Sequence, residues 1–101
     1  MELTITDEQI NHLAYQQFLW SMAATQAIDH ENREMWRLSV KSMKSAGAVF
    51  STLSLELRER VESEVRKLLV AELGSEEARE ANNQKWRDWQ RKLKQERREE
   101  K

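Results

Sequence analysis

Any chemistry in a chain of 101 residues must come from the few side chains able to carry it, and here they are sparse. There are two histidines, His12 and His30, and no cysteine. Without cysteine there is no disulfide framework, zinc knuckle, thiol nucleophile or iron–sulfur cluster. Glu8 and His12 stand four apart and would share one helix face, but two ligands are too few to hold a metal. A carboxylate di-iron centre needs Glu-x-x-His from each of two helices, a spacing that does not occur. Phosphate-cradling loops and nucleophile elbows draw on glycine, and the chain has two. The residues therefore predict no catalytic group, no metal site and no cofactor, and a protein that is not an enzyme. Both histidines read as ordinary helix residues.

Two other sets of side chains carry physical information, and both fall near the C-terminus. Arg87, Arg91, Lys94 and Arg98 recur at spacings of four, three and four, so on a helix they form one row. From Lys85 to Arg98 there are seven bases and two acids, a local charge of +5 within a chain of net charge −1. Like charges one turn apart cost a helix a few tenths of a kcal/mol. The helix dipole and solubility supply part of a reason for the row; an anionic partner supplies the rest. The second set is Ala78, Asn82, Trp86, Trp89 and Leu93, a narrow line on the same helix. Each indole offers on the order of 200 Å² to bury. Trp86, Trp89 and Leu93 either dock on the rest of the chain, anchor the helix in a partner's groove, or form a self-association seam. The line lasts barely two heptads, too short for a long coiled coil.

The elements that must position these residues are helical. The chain has no proline, and with so little glycine the turns of an all-β fold are out of reach. Thr6-Asp7-Glu8-Gln9 fits a capping box, with Ile5 and Ile10 as the flanking staple. The apolar stripe that follows is wide, so the first helix, about residues 7–28, is expected at the centre of the fold. Asp29 is expected to end that helix and cap a second, about 30–46, which Gly47 is expected to end. Ser54 or Thr52 then caps a third, about 54–73, striped by Leu57, Val61, Val65 and Leu68 and supported by Glu56–Arg60 and Glu62–Arg66 pairs. Gly74 is a natural stop and Ser75 a natural cap for the last helix.

The expectation is an all-α fold: a three-helix core over residues 1–73 and a charged amphipathic C-terminal helix over 75–101. Of 21 Leu, Ile, Val and Phe residues, 20 lie in the first 73, whereas 16 of the last 28 residues are charged. A core of 73 residues is marginal alone, so docking of the last helix or dimerisation would help. No apolar run approaches the roughly 18 residues of a membrane span, and the N-terminus has no signal-peptide pattern, so a cytoplasmic protein without membrane contact is expected. Size and composition are of the kind common among phage and plasmid accessory factors.

The function expected is that of a small interaction protein that binds and modulates a larger protein assembly as adaptor, regulator or inhibitor. Trp86, Trp89 and Leu93 would be its anchors, and Arg87, Arg91, Lys94 and Arg98 its charge complement. One alternative is an accessory protein that binds nucleic acid with the basic face of the last helix. Four aligned cations support only weak, nonspecific binding, with a salt slope of at most about −3.6 on duplex DNA. The other alternative is a homodimeric structural protein in which the last helix pairs with its mate.

Overall fold

A computed structural model describes residues 5–99 as four helices: α1 (Asp7–Asp29), α2 (Arg33–Phe50), α3 (Leu55–Leu73) and α4 (Glu76–Glu99). No strand is present among the described residues, and the fold is all-α as the composition requires. The radius of gyration is 15.2 Å, against about 13 Å for a compact chain of this length. The shortest dimension is 19 Å, the depth of two helix layers at roughly 10 Å each. Each helix is thus packed on one side and open on the other.

The first helix organises this thin arrangement, since α2, α3 and α4 all pack on it. It begins as its sequence dictates. Gln9 N–H donates to Thr6 Oγ1 at 3.2 Å, and Thr6 N–H donates back to the Gln9 side chain at 3.0 Å. Its two ends then serve two separate cores. Near the start, Ile10 and Ala14 are buried with Leu53 and Val61, flanked by Ile5, Leu13, Phe50, Leu57 and Val65. Near the end, Ala24, Ala27 and Ile28 are buried with Trp36 and Trp89. The alanines are the reason for the second site: with only a methyl group at 24 and 27, a neighbouring indole can lie against the helix backbone. Between the two cores the side chains of α1 are only partly covered, and Tyr15 and Leu19 stand half-exposed.

The helix ends correct the sequence reading in two places. Helix α2 starts after Asn32, whose Oδ1 accepts from the Met35 N–H at 3.0 Å; Asp29 is the last residue of α1. The Asp29 carboxylate is engaged elsewhere, with Lys85 Nζ at 2.8 Å. The corner between the helices turns at Glu31, in the left-handed region at φ 52°. Gly47 does not stop α2, which runs on to Phe50. A glycine in a helix interior costs roughly 1 kcal/mol relative to alanine. Continuing for another turn brings Phe50 onto the core at the start of α1 and leads into the buried Leu53, which outweighs that cost. Ser54, not Thr52, caps α3, its Oγ accepting from Leu57 N–H at 3.3 Å.

The corner between α3 and α4 forms as its residues imply. Gly74 adopts φ 104° and closes α3, and Ser75 Oγ accepts from the Ala78 N–H at 3.0 Å. Glu76 then bridges the two helices, its carboxylate accepting from Arg66 of α3 and Arg79 of α4, each at 2.5 Å. Arg66 and Arg60 therefore reach across the fold, to Glu76 and Asp7, rather than along α3 to the glutamates one turn away. The Arg79 and Arg66 guanidiniums hold the Glu76 carboxyl well below its usual range, at about 2, and Glu76 in turn raises Arg79. A folded-state pKa below the unfolded value means stability that is present above about pH 4.5 and is lost as the pH falls toward 2.

Two measurements check these corners. In urea unfolding, Gly47→Ala should stabilise by about 0.5–1 kcal/mol, because its added methyl meets nothing within 4 Å. Gly74→Ala should destabilise by about 1 kcal/mol, because alanine is strained at that positive φ. Followed from pH 5 down to pH 2, the urea midpoint should fall in the parent. Glu76→Gln should flatten that fall, and a profile identical to the parent's would remove the bridge from the account.

Candidate functional site

The tryptophans of α4 are directed into the protein. Trp89 is buried at 6% exposure, and Trp86 and Leu93 are half-buried against the same cluster. Trp36 of α2 meets Trp86 edge-on, with ring centroids 5.4 Å apart, and Trp89 similarly at 6.3 Å. Such pairs are worth about 0.5–1.5 kcal/mol beyond the area they bury. The line Ala78, Asn82, Trp86, Trp89, Leu93 is thus the inner face of α4, and the structure places the three expected anchors against α1 and α2. A helix-four dimer seam would need the same face.

A polar cluster fixes that docking. Trp86 Nε1 donates to Thr25 Oγ1 at 3.0 Å, and Asn82, buried at 7%, lies 3.3 Å from the same hydroxyl. The Thr25 hydroxyl has one proton, and the Ser21 carbonyl at 2.9 Å is its better acceptor. Its two lone pairs then accept from Trp86 and from Asn82, once the amide of Asn82 turns its nitrogen toward Thr25. Sequence reading placed Asn82 on the apolar line without a role for it. The signal was there in a polar residue amid apolar ones, but its partner is 57 positions away. Trp89 Nε1, by contrast, is buried without a partner.

Turning the tryptophans inward leaves the cation row outside. Arg87, Arg91, Lys94 and Arg98 are all exposed. Arg87 reaches only Gln84, at 3.4 Å, and Arg91 lies 3.7 Å from Asp88. Lys94 and Arg98 make no ion pair among the described residues. Two further bases of α4 tie it to the α1–α2 corner: Lys85 binds Asp29, and Lys92 lies 3.8 Å from Glu31 and 5.4 Å from the Trp89 ring centre.

A second set of cations was not singled out by sequence reading. Arg33, Arg37, Lys41 and Lys44 line one side of a cleft of about 330 Å³ between α2 and the end of α4, with Arg97 and Glu96 opposite. Its floor is apolar, formed by Trp36, Val40 and Leu93. Arg33 pairs with Glu96, and the other four cations have no ion-pair partner among the described residues. The 33, 37, 41, 44 spacing was available as a sequence signal. It was masked by the conventional placement of lysines near a helix end. Arg97 stands one turn from Lys94 and beside Arg98, so the cleft and the outer row meet along α4.

The remaining candidates are plain. His12 is exposed and 3.3 Å from Gln16, and His30 caps the end of α1. No three of His, Asp and Glu come together as metal ligands would among the described residues. No described helix is long and apolar enough to cross a membrane. At the other end of the fold, Ile5, Leu13, Val49 and Leu53 line an apolar hollow of about 610 Å³. The α2–α3 turn is as short as that of a DNA-binding helix pair, but α3 opens with exposed Glu56 and Glu59, which would meet phosphates with negative charge. Comparison with family models, curated proteins and solved structures finds no match for this chain.

Scaffold and surface are separable by mutation. Trp86→Ala with Trp89→Ala should remove more than about 5 kcal/mol, enough to unfold a chain of this size. Thr25→Val keeps the shape but strands the Trp86 N–H and Asn82, and should cost about 1–3 kcal/mol. Replacing Arg87, Arg91, Lys94 and Arg98 with Gln should leave stability within about 0.5 kcal/mol. Circular dichroism and urea titration measure all three, and a folded double-alanine variant would return the indoles to the list of partner anchors.

Proposed function

We propose that this protein is a non-enzymatic interaction module that binds and modulates a larger protein assembly through charge rather than through an aromatic anchor. The observation carrying this reading is the outward row Arg87, Arg91, Lys94 and Arg98 on a helix whose tryptophans pack against α1 and α2. With the indoles of α4 turned inward, the row faces outward and gives an acidic protein face an aligned set of charges to meet. Rim charges of this kind act chiefly on association rate and on partner choice.

A second reading has its own observation. Arg97 joins the outer row to the cations of the cleft, giving a basic surface that spans two helices and could follow a phosphate backbone. Glu96, which lines the cleft among these cations, weighs against it.

One experiment separates the two. A tagged copy is used for capture in its native host, in parallel with a variant carrying Glu at 87, 91, 94 and 98, with and without nuclease. The protein reading expects a specific partner that survives nuclease and disappears with the charge-reversed variant. Recovery that nuclease abolishes, together with a gel shift whose salt slope approaches about −3.6, would transfer the function to nucleic acid.

A further inference from the structure

We propose that the cleft between α2 and the end of α4 is a docking groove for an acidic amphipathic helix, about three turns long, of a protein partner. The proposal deepens the interaction reading and rests on it, but it concerns another surface, since none of Arg87, Arg91, Lys94 and Arg98 lines the cleft. Three features of the groove define its occupant.

The first is length. Arg33, Arg37, Lys41 and Lys44 run along α2 over 11 residues, roughly 16 Å at 1.5 Å per residue. A helix lying beside α2 would present one side chain per turn to this row, at the i, i+4, i+7 or i+8 positions that groove-bound helices use. The second is sign. Arg33 is occupied by Glu96, whereas Arg37, Lys41, Lys44 and Arg97 have no ion-pair partner among the described residues. The Arg33–Glu96 pair sets a carboxylate of α4 beside the first member of the row, the arrangement the proposed occupant would repeat along it. The third is the floor. Val40 and Leu93 are half-buried, and they lie between the cationic walls. An occupant that supplied only negative charge would leave that hydrocarbon in water, so the partner must alternate carboxylates with apolar side chains.

The same floor disfavours a nucleic-acid strand. Sequence-tolerant strand binding depends on aromatic faces on which bases stack, and Trp36 is only 6% exposed. It packs edge-on with Trp86 and Trp89 inside the buried cluster.

The test uses the full chain. A displayed library of random peptides of about 12 residues, long enough to span the row, is selected against the folded protein. Enriched peptides are then synthesised and titrated by fluorescence anisotropy. They should carry Asp or Glu every three or four positions with apolar residues between, and should shift the Trp36 indole N–H resonance. Arg37→Glu with Lys41→Glu, checked for folding by circular dichroism, should weaken them at least about tenfold. Val40→Asp should do the same at constant cation count. A variant with Glu at 87, 91, 94 and 98 should still bind them, because that row is outside the groove. No enrichment, enrichment without acidic patterning, or equal binding to the Arg37→Glu, Lys41→Glu variant would overturn the groove. An oligonucleotide of similar length that displaces the peptides and binds more tightly would do so as well. If the peptides bind but the cellular partner is captured equally by the charge-reversed α4 row, the groove stands and the outer row loses its proposed role. The converse result separates them the other way.

Discussion

Trp86 satisfies two requirements at once: its N–H donates to Thr25 of α1 at 3.0 Å, while its ring lies edge-on to Trp36 of α2 at 5.4 Å. Apolar contact alone would let α4 slide or rotate by a residue at little cost. A buried hydrogen bond does not allow this, because displacement strands a donor and an acceptor away from water at about 1–3 kcal/mol. Asn82, one turn earlier, engages the same hydroxyl, so two positions on α4 are tied to one point on α1. Everything the surface offers follows from that register. Fixing the indoles inward fixes Arg87, Arg91, Lys94 and Arg98 outward, and it brings Leu93 and Arg97 beside α2.

The fold was legible where its determinants are local. Thr6 and Gln9 form their capping box, Gly74 and Ser75 close one helix and open the next, and the broad stripe of α1 makes it the hub. Readings failed where a distant residue competes. Gly47 carries a real helix penalty, yet the core at the start of α1 draws Phe50 and Leu53 into place and overrides it. Asp29 is as good a cap as Asn32, but Lys85, 56 positions on, holds it. Arg60 and Arg66 had glutamates one turn away and chose acids on other helices. In each case the local interaction is worth a few tenths of a kcal/mol to about 1 kcal/mol, a scale that one tertiary contact can match.

The candidate site was half legible for the same reason. The cation row on α4 could be placed by spacing alone, and its exposure follows once the opposite face is known. The destination of the tryptophans could not be read, because a core and an interface present the same side chains to a helical wheel. What decides between them is the receiving surface, here Ala24, Ala27 and Trp36, and no spacing within α4 reports on it. The α2 row of the cleft could be read from its spacing, but the cleft itself needed two helices brought together.

The depth of anchoring changes along α4, and with it the mechanical character of the cleft. Up to Leu93 the helix is held by indole packing and a buried polar cluster. Beyond Leu93 it has no large apolar side chain, and the tie to α2 is the Arg33–Glu96 pair, whose side chains are 49% and 29% exposed. Ion pairs at that exposure contribute about 0–1 kcal/mol and weaken with salt. The wall carrying Glu96 and Arg97 is therefore cheap to displace, while the wall carrying Arg37, Lys41 and Lys44 belongs to a helix fixed at its buried Trp36. The two sides of the cleft thus differ in how firmly the fold holds them. On the proposed docking, an acidic segment that exchanged with Glu96 for Arg33 would gain its own pair with little loss to the scaffold, because the register of α4 is set nearly three turns earlier, at Trp86.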